Sequence, residues 1–398
     1  MALLDAALIW AERHAGVDLT AATVDHGLRP EAGHEAARVA AFCDRHGVPH
    51  RTIPLELEDG PALQERARRA RRAALRTWAR GVRAQAILLG HTADDVAESL
   101  MMRLARGTGI DGLAAMPDWT PEGGRTPPFV RPFLRIARAE LRAHLHDRGI
   151  EWCEDPSNED PRFERARARK AIATLGLDPR MLARSADALA QGARALDERA
   201  RDVAERHVRI DAAGDVRIGT TTLLGLQRDE PETARRILAA AVAWIGDARP
   251  RGTALQRVTS WDWNRPQRRT MGGCVWSLER ETSAHGPDVL RIGRELAACG
   301  APVGVDRVWD GRWRVYPTDD ASRRAPSEGL RLAALGDDLP REVRPAHAMR
   351  EALRATPAIR DARGDLIAAP VAGLGGGWVA ELRPALHDTM CPRRPTFG

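Results

Sequence analysis

Lysine is nearly missing from this chain of 398 residues: of its 61 basic side chains, Lys170 alone is not an arginine. Arginine's planar fork suits phosphate, so a nucleic-acid partner is one reading and an arginine-favouring genome is the other. The net charge of +6 is modest and does not separate them. Long apolar runs are lacking too. No stretch approaches the roughly 18 apolar residues of a membrane span, and 43% apolar with 29% charged residues fits a soluble globular chain. At about 100–200 residues per domain, two or three domains are expected. The opening segment carries Asp5 and Glu12 inside its apolar pattern and has no small-residue cleavage site, so it is not expected to act as a secretory signal. Five cysteines (Cys43, Cys153, Cys274, Cys299 and Cys391) stand singly, without a C-x-x-C pair. Neither a zinc ribbon nor a disulfide framework is expected, and a reducing cytoplasm is the expected location. No internal repeat or low-complexity tract is present.

What the sequence does contain is alternation. Helical patterns at Ala2–Ala15, Glu31–His46, Pro61–Arg80 and Ala93–Arg106 are interleaved with short apolar runs at Leu19–Val24, Pro49–Leu55 and Gln85–Leu89. Such alternation predicts an α/β fold, a parallel sheet with helices on both faces. The order begins with a helix that has no strand before it. Residues 107–135 read as a Gly- and Pro-rich loop with a short strand at Phe129–Phe133. A helix follows at Arg138–Arg148, then helical patterns from Arg162 to about Ala212 and over Glu230–Ile245. Short strands are expected at Gly273–Leu278, Val289–Ile292, Trp313–Tyr316, Leu366–Ala369 and Gly377–Leu382. The expected division is 1–135, an α/β domain; 136–300, a linker and mostly helical middle domain; and 301–398, a small mixed α/β domain.

The chemistry concentrates at Gly90-His91-Thr92-Ala93-Asp94-Asp95-Val96-Ala97-Glu98. An apolar strand ends at Gly90 and a helix begins near Thr92, whose spacing to Asp95 is that of a capping box. Asp94, Asp95 and Glu98 share one face of the first turns. Parallel sheets bind ligands at the carboxyl ends of their strands, so three carboxylates and a histidine meet where a ligand is expected. They suit Mg²⁺ or the ammonium of an amine substrate; the plainer reading is a helix cap beside a solvated Glu98. Asp25-His26-Gly27-Leu28-Arg29 ends the first strand and is expected at the same sheet edge. Arg106-Gly107-Thr108-Gly109 follows the acidic helix and allows close backbone approach to a ligand, or simply a glycine helix exit. Arginines 66, 69, 72, 76 and 80 form one stripe of a helix, and Arg162, Arg165, Arg167, Arg169 and Lys170 form a second basic cluster. Each is a candidate phosphate contact or a solvated charged face.

Together these segments resemble the tRNA(Ile)-lysidine synthetases of the PP-loop (N-type) ATP pyrophosphatase group. The resemblance rests on Asp25-His26-Gly27-Leu28-Arg29, Arg68 and Arg71, His91-Thr92-Ala93-Asp94-Asp95 with Glu98, and Arg106-Gly107-Thr108-Gly109 with Gly112-Leu113. It continues through Arg131-Pro132, Glu140-Leu141 and Glu154-Asp155-Pro156-Ser157-Asn158. Order and spacing match over about residues 1–170; beyond that the match is one of architecture. The resemblance implies a cytoplasmic ligase that uses ATP to adenylate the C2 oxygen of the wobble cytidine in the CAU anticodon of tRNA(Ile). L-lysine then attacks C2, releasing AMP and diphosphate. It implies catalytic roles for Asp94, Asp95 and Glu98, with Mg²⁺ on Asp94 and Asp95. It implies an ATP pocket lined by Asp25, His26, Gly90, His91, Thr92, Gly107 and Gly109. It also implies tRNA contacts from Arg68, Arg71, Arg106, Arg131, Arg165, Arg167 and Arg169, and allows a homodimer.

Three features depart from the family pattern. The Ser-Gly-Gly-x-Asp-Ser loop that cradles pyrophosphate has no counterpart; Met1-Ala2-Leu3-Leu4 correspond to the helix after it. On that reading the chain as written is expected to bind ATP poorly. Arg72 stands where tyrosine is usual, and Arg165-Ala166-Arg167-Ala168-Arg169 keeps the arginines but not the usual Asn and Ile. Two other functions are weighed against the ligase. One is a catalytically inactive tRNA-binding remnant. The other is a different PP-loop tRNA-modifying enzyme such as a thiolase, against which the unpaired cysteines argue.

Overall fold

The computed structural model describes residues 1–25, 31–55, 60, 63–120, 126–153, 160, 162–246, 268–279, 288–318, 329–340, 347–382 and 386. They form two compact units, Met1–Ala193 and Arg194–Gly398, the division falling inside a long helix.

The first unit runs α1 (Ala2–Glu12), β1 (Ala21–Asp25), α2 (Glu31–Arg45), β2 (His50–Pro54), α3 (Leu63–Gly81), β3 (Ile87–Leu88) and α4 (Ala93–Leu104). It continues through α5 (Ile110–Leu113), β4 (Trp119–Thr120), β5 (Phe129–Val130), α6 (Arg138–Asp147), α7 (Glu164–Thr174) and the start of α8 (Pro179–His207). The expected parallel pairing is present, in two pieces. β1 lies parallel to β2 in the register Ala21 to His50. β3 lies parallel to β5, with β4 antiparallel on its far side. Helix α3 packs on both β1 and β3. Leu75, Ala79, Ile87 and Phe129 are buried together there, with Ala22, Val24 and Trp78 partly buried around them. One helix therefore carries the apolar layer of both pieces. The 107–135 segment, expected as a loop with one strand, also holds α5 and β4. Four and two residues are too few to show a period.

Helix α8 is followed by β6 (Val208–Ile210), β7 (Val216–Gly219), α9 (Thr220–Asp229), α10 (Pro231–Gly246), β8 (Arg268–Met271), β9 (Cys274–Glu279) and β10 (Val289–Arg294). The five strands form an antiparallel sheet in the order β6-β7-β10-β9-β8. Helix α10 buries Ile237, Leu238, Ala241, Val242 and Ile245 in one core with Val216, Ile218, Trp276, Leu290 and Ile292 from the sheet. The helical middle region expected from the sequence thus carries a sheet as well. Its strands β6 and β7 escape notice because they lie directly against the ends of α8 and α9. Further on, β11 (Val303–Gly304), β13 (Arg331–Ala334), β14 (Pro357–Arg360) and β15 (Leu366–Ala368) form a four-stranded sheet, and β12 (Trp313–Pro317) pairs with β16 (Trp378–Leu382). Trp309 and Trp313 are buried there with Val315, Leu332 and Ile359. Among the described residues no helix is long and apolar enough to cross a membrane.

Candidate active site at the start of helix α4

Helix α4 begins where it does because Thr92 is extended (φ −113°, ψ 175°) and its cap is closed by its own third residue. The Thr92 N–H and Oγ1–H both donate to Asp95 Oδ2, at 2.8 and 2.9 Å, satisfying a donor that the first turn leaves open. Ala93, Val96 and Leu100 bury one side of α4 against Leu134, Ala183 and Ala186. Helix α7 packs on α4 as well, and its small Ala166 and Ala168 are buried. That close approach brings Arg165 and Arg169, four apart on one face of α7, onto α4's acidic residues.

Glu98 lies at the centre with only 1% of its surface exposed. Arg169 Nε donates to its Oε1 at 2.8 Å, Arg165 Nε stands 2.9 Å from Oε2, and Arg138 Nη2 is 3.5 Å from Oε1. Asp95 Oδ1 faces Arg165 Nη2 at 3.5 Å and Arg138 Nη2 at 3.9 Å. Two carboxylates are therefore collared by three guanidinium groups. The collar is imperfectly aligned: Glu98 Oε2 and Arg165 Nε are buried without a hydrogen-bond partner despite their proximity. His91 Nδ1 is likewise buried and unpartnered.

The charges act on the titrating groups in opposite directions. Burial pushes His91 down to about 4, helped by Arg131, Arg165 and Arg71, with Asp95 alone pulling it up. His91 is therefore neutral at pH 7. Burial pushes Asp95 up, but the Thr92 backbone hydrogen bond and Arg165 outweigh it and hold the carboxyl below its ordinary value.

Asp94, expected on the same face, is turned away: its Oδ2 accepts the backbone N–H of Arg138 at 2.7 Å, the first residue of α6. Asp25 closes β1, its carbonyl accepting the Leu55 N–H at 2.7 Å. His26 and the Glu154–Asn158 motif lie outside the described residues. A Cβ added at Gly90 would come into ordinary contact with the Leu3 side chain of α1. Gly107 takes φ +63° past the end of α4, and Gly109 precedes α5. Of the expected tRNA arginines, Arg68 and Arg71 are exposed on α3. Arg131 is buried, its Nη1 donating to Pro117 O and Thr120 Oγ1, both at 2.8 Å. Arg106 pairs with Glu164, and Arg167 donates to the Arg162 carbonyl at 3.1 Å, on the other side of α7. Arg72 and Arg76 of the α3 stripe stack over the Phe129 ring, at 4.9 and 5.7 Å, so the stripe is in part an inner packing surface. Among the described residues no three His, Cys, Asp or Glu side chains are grouped as a metal cage.

Sequence reasoning missed Arg138. A signal existed: a cation at the first helical residue opposes the helix dipole and calls for carboxylates in front of it, here Asp95 and Glu98. It also missed the role of Asp5. That residue is 1% exposed, receives Arg148 Nε at 3.1 Å and pairs with His144 Nε2 at 2.7 Å, tying α1 to α6.

Parallel strands feeding helices, with polar groups gathered at a strand-to-helix junction, agree with the class that the family comparison gives: the model of a PP-loop domain matches residues 1–175. The tRNA(Ile)-lysidine synthase of Ruegeria pomeroyi is 38% identical over 387 residues, covering 94% of this chain and 86% of that protein. That of Rhizobium meliloti is 33% identical over 339 residues, covering 81% and 72%. The chain belongs to the tRNA(Ile)-lysidine synthase family. Among solved structures, the U34-tRNA thiolase NcsA from Methanococcus maripaludis with its [4Fe-4S] cluster overlays at TM-score 0.39 and 16% identity. It covers 48% of this chain and 66% of that one, too loosely to bear on the argument.

Proposed function

We propose that this chain is an ATP-dependent ligase that joins L-lysine to C2 of the wobble cytidine in the CAU anticodon of tRNA(Ile), with Asp95 and Glu98 receiving the lysine. The observation that carries the assignment is the buried acidic pair of α4, collared by Arg138, Arg165 and Arg169 beside a neutral His91. Activation of C2 transfers AMP from ATP to the cytidine oxygen and releases diphosphate. The lysine ε-amine then forms the C–N bond as AMP leaves.

An ammonium must shed its proton before it can attack, against an ordinary pKa of about 10.4. Glu98 and Asp95 supply the charge that binds it, while the surrounding guanidinium groups favour the neutral amine. His91 Nδ1, buried and unpartnered, would accept a hydrogen bond from the amine; held at about 4, it is a weak base. Exposed Arg68 and Arg71 offer phosphate contacts.

Asp94 and Asp95 each already commit Oδ2 to a protein N–H, so they fit Mg²⁺ only as one or two ligands to an ion carried largely by ATP phosphates. Bound there, the ion would neutralise charge developing on the phosphates.

The test is incorporation of radiolabelled lysine into CAU-anticodon tRNA(Ile) with ATP, for the chain and its Asp95→Asn and Glu98→Gln variants. The assignment expects both variants to lose incorporation while tRNA affinity stays nearly unchanged. Near-normal incorporation by both would overturn the site. Binding of tRNA without incorporation by the unsubstituted chain would favour the inactive tRNA-binding alternative.

A further inference from the structure

Glu98 is the most buried carboxylate of the site, and among the described residues Arg138, Arg165 and Arg169 meet its charge. Arg138, Arg165 and Arg169 occupy the positions an incoming ammonium would take. Arg131 and Arg71 add further positive charge close enough to depress His91. Three guanidinium groups face the two carboxylates of Asp95 and Glu98, and Asp94 is engaged by the α6 backbone. The field in this arrangement attracts an anion and repels an amine.

Arg138 and Arg165 keep 28% and 38% of their side chains exposed, so a ligand arriving from solvent can reach them. The contact between Arg165 Nε and Glu98 Oε2 at 2.9 Å lacks hydrogen-bond alignment, and Arg138 stands 3.5 Å off, so both have less to lose on parting than Arg169, which donates a hydrogen bond to Glu98.

Resting on the reading of Glu98 as the lysine site, we infer that capture of the amine is conditional on a bound polyanion. Arg138 and Arg165 cover the acidic pair until phosphate oxygens draw them away, and only then does Glu98 accept a substrate ammonium. Phosphate recruits arginine bidentately and more strongly than an unaligned carboxylate does. The consequence is order: the phosphate-bearing substrate enters first and the amine second. By linkage the coupling is reciprocal, so lysine raises affinity for the polyanion by the same factor.

The experiment measures radiolabelled lysine binding by equilibrium dialysis on the full chain, alone, with inorganic tripolyphosphate, and with a CAU anticodon stem-loop RNA. The proposal expects lysine affinity to rise about tenfold or more with either polyanion, within the usual range of allosteric couplings. It expects the reciprocal gain in RNA affinity at saturating lysine. It also expects Arg138→Gln to bind lysine without a polyanion and to lose much of the coupling, a result that a merely structural arginine would not give. Arg165→Gln provides the same test should the first variant fold poorly. Equal lysine affinity with and without polyanion, abolished in both cases by Glu98→Gln, would overturn the ordering while leaving the site assignment standing. Unchanged lysine binding in Glu98→Gln would instead remove the site assignment, and the inference with it. Absence of lysine binding to the unsubstituted chain even with polyanion would overturn the inference.

Discussion

Replacing Glu98 by Gln keeps the shape of the side chain and removes its charge, leaving Arg138, Arg165 and Arg169 to face one another across a nearly solvent-free point. Removing one partner of a buried ion pair costs about 3–5 kcal/mol. The three arginine side chains remain 28%, 38% and 33% exposed, so water screens part of the loss and about 1–3 kcal/mol is expected. The chain has two compact units, and a global melting curve would blur the effect. Hydrogen exchange followed on peptides from α4 and α7 localises it. At about 1.4 kcal/mol per tenfold, exchange there should quicken about 5- to 150-fold, while peptides from the second unit stay unchanged. Adding Arg169→Gln should restore part of the protection, because a surplus cation is then removed; contacting residues couple by about 0.5–3 kcal/mol in such cycles. Unaltered protection in α4 and α7, or strictly additive effects, would refute the account of charge balance around Glu98.

Other consequences are open to measurement. The His91 ring titrates near 4 against an ordinary 6.5, so the unfolded chain takes up the proton first and stability falls as pH drops from about 6.5 to about 4. His91→Gln should flatten that slope. By NMR titration, Arg165→Gln should raise the His91 value and Asp95→Asn should lower it further, since Arg165 depresses and Asp95 elevates it; shifts of equal sign would be inconsistent with the described geometry. Replacing Arg68 and Arg71 together by Gln should weaken tRNA binding and reduce the salt slope by about 1 per arginine, and an unchanged slope would mean neither meets phosphate. In the second unit, Arg291 Nη2 pairs with Asp215 at 2.6 Å, both nearly buried. Arg291→Met should destabilise that unit by about 3–5 kcal/mol, read from urea unfolding, and loss of less than about 1 kcal/mol would show that Asp215 finds another partner.

Much of the first unit was legible because its signals are local. The capping spacing of Thr92 and Asp95, the three-residue step to Glu98 and the strand-helix alternation each follow from backbone periodicity, and the structure carries them. The solvated reading of Glu98 fails, since its burial comes from α7, some 70 residues further along, a contact that no local pattern encodes. For the same reason Asp94 could not be separated from Asp95 by spacing alone: what distinguishes them is the α6 backbone. The α3 stripe looked uniformly basic, yet Phe129 divides it into arginines that stack inward and arginines that face water. Strands β6 and β7 were hidden by helices directly before and after them, whereas β9 overlaps the strand expected at Gly273–Leu278, with Cys274, Trp276 and Leu278 buried in alternation.

Position 138 carries two separable contributions. Its N–H holds Asp94 at 2.7 Å, and its guanidinium reaches Asp95 and Glu98. Proline is welcome at a first helical residue, and Ala137 before it already has the ψ of 149° that a following proline requires. Arg138→Pro should therefore spare α6 and delete both contributions, while Arg138→Gln deletes the guanidinium alone. The difference between the two variants isolates what a single main-chain bond does for Asp94, a quantity that substitution of the aspartate itself would confound with loss of its charge.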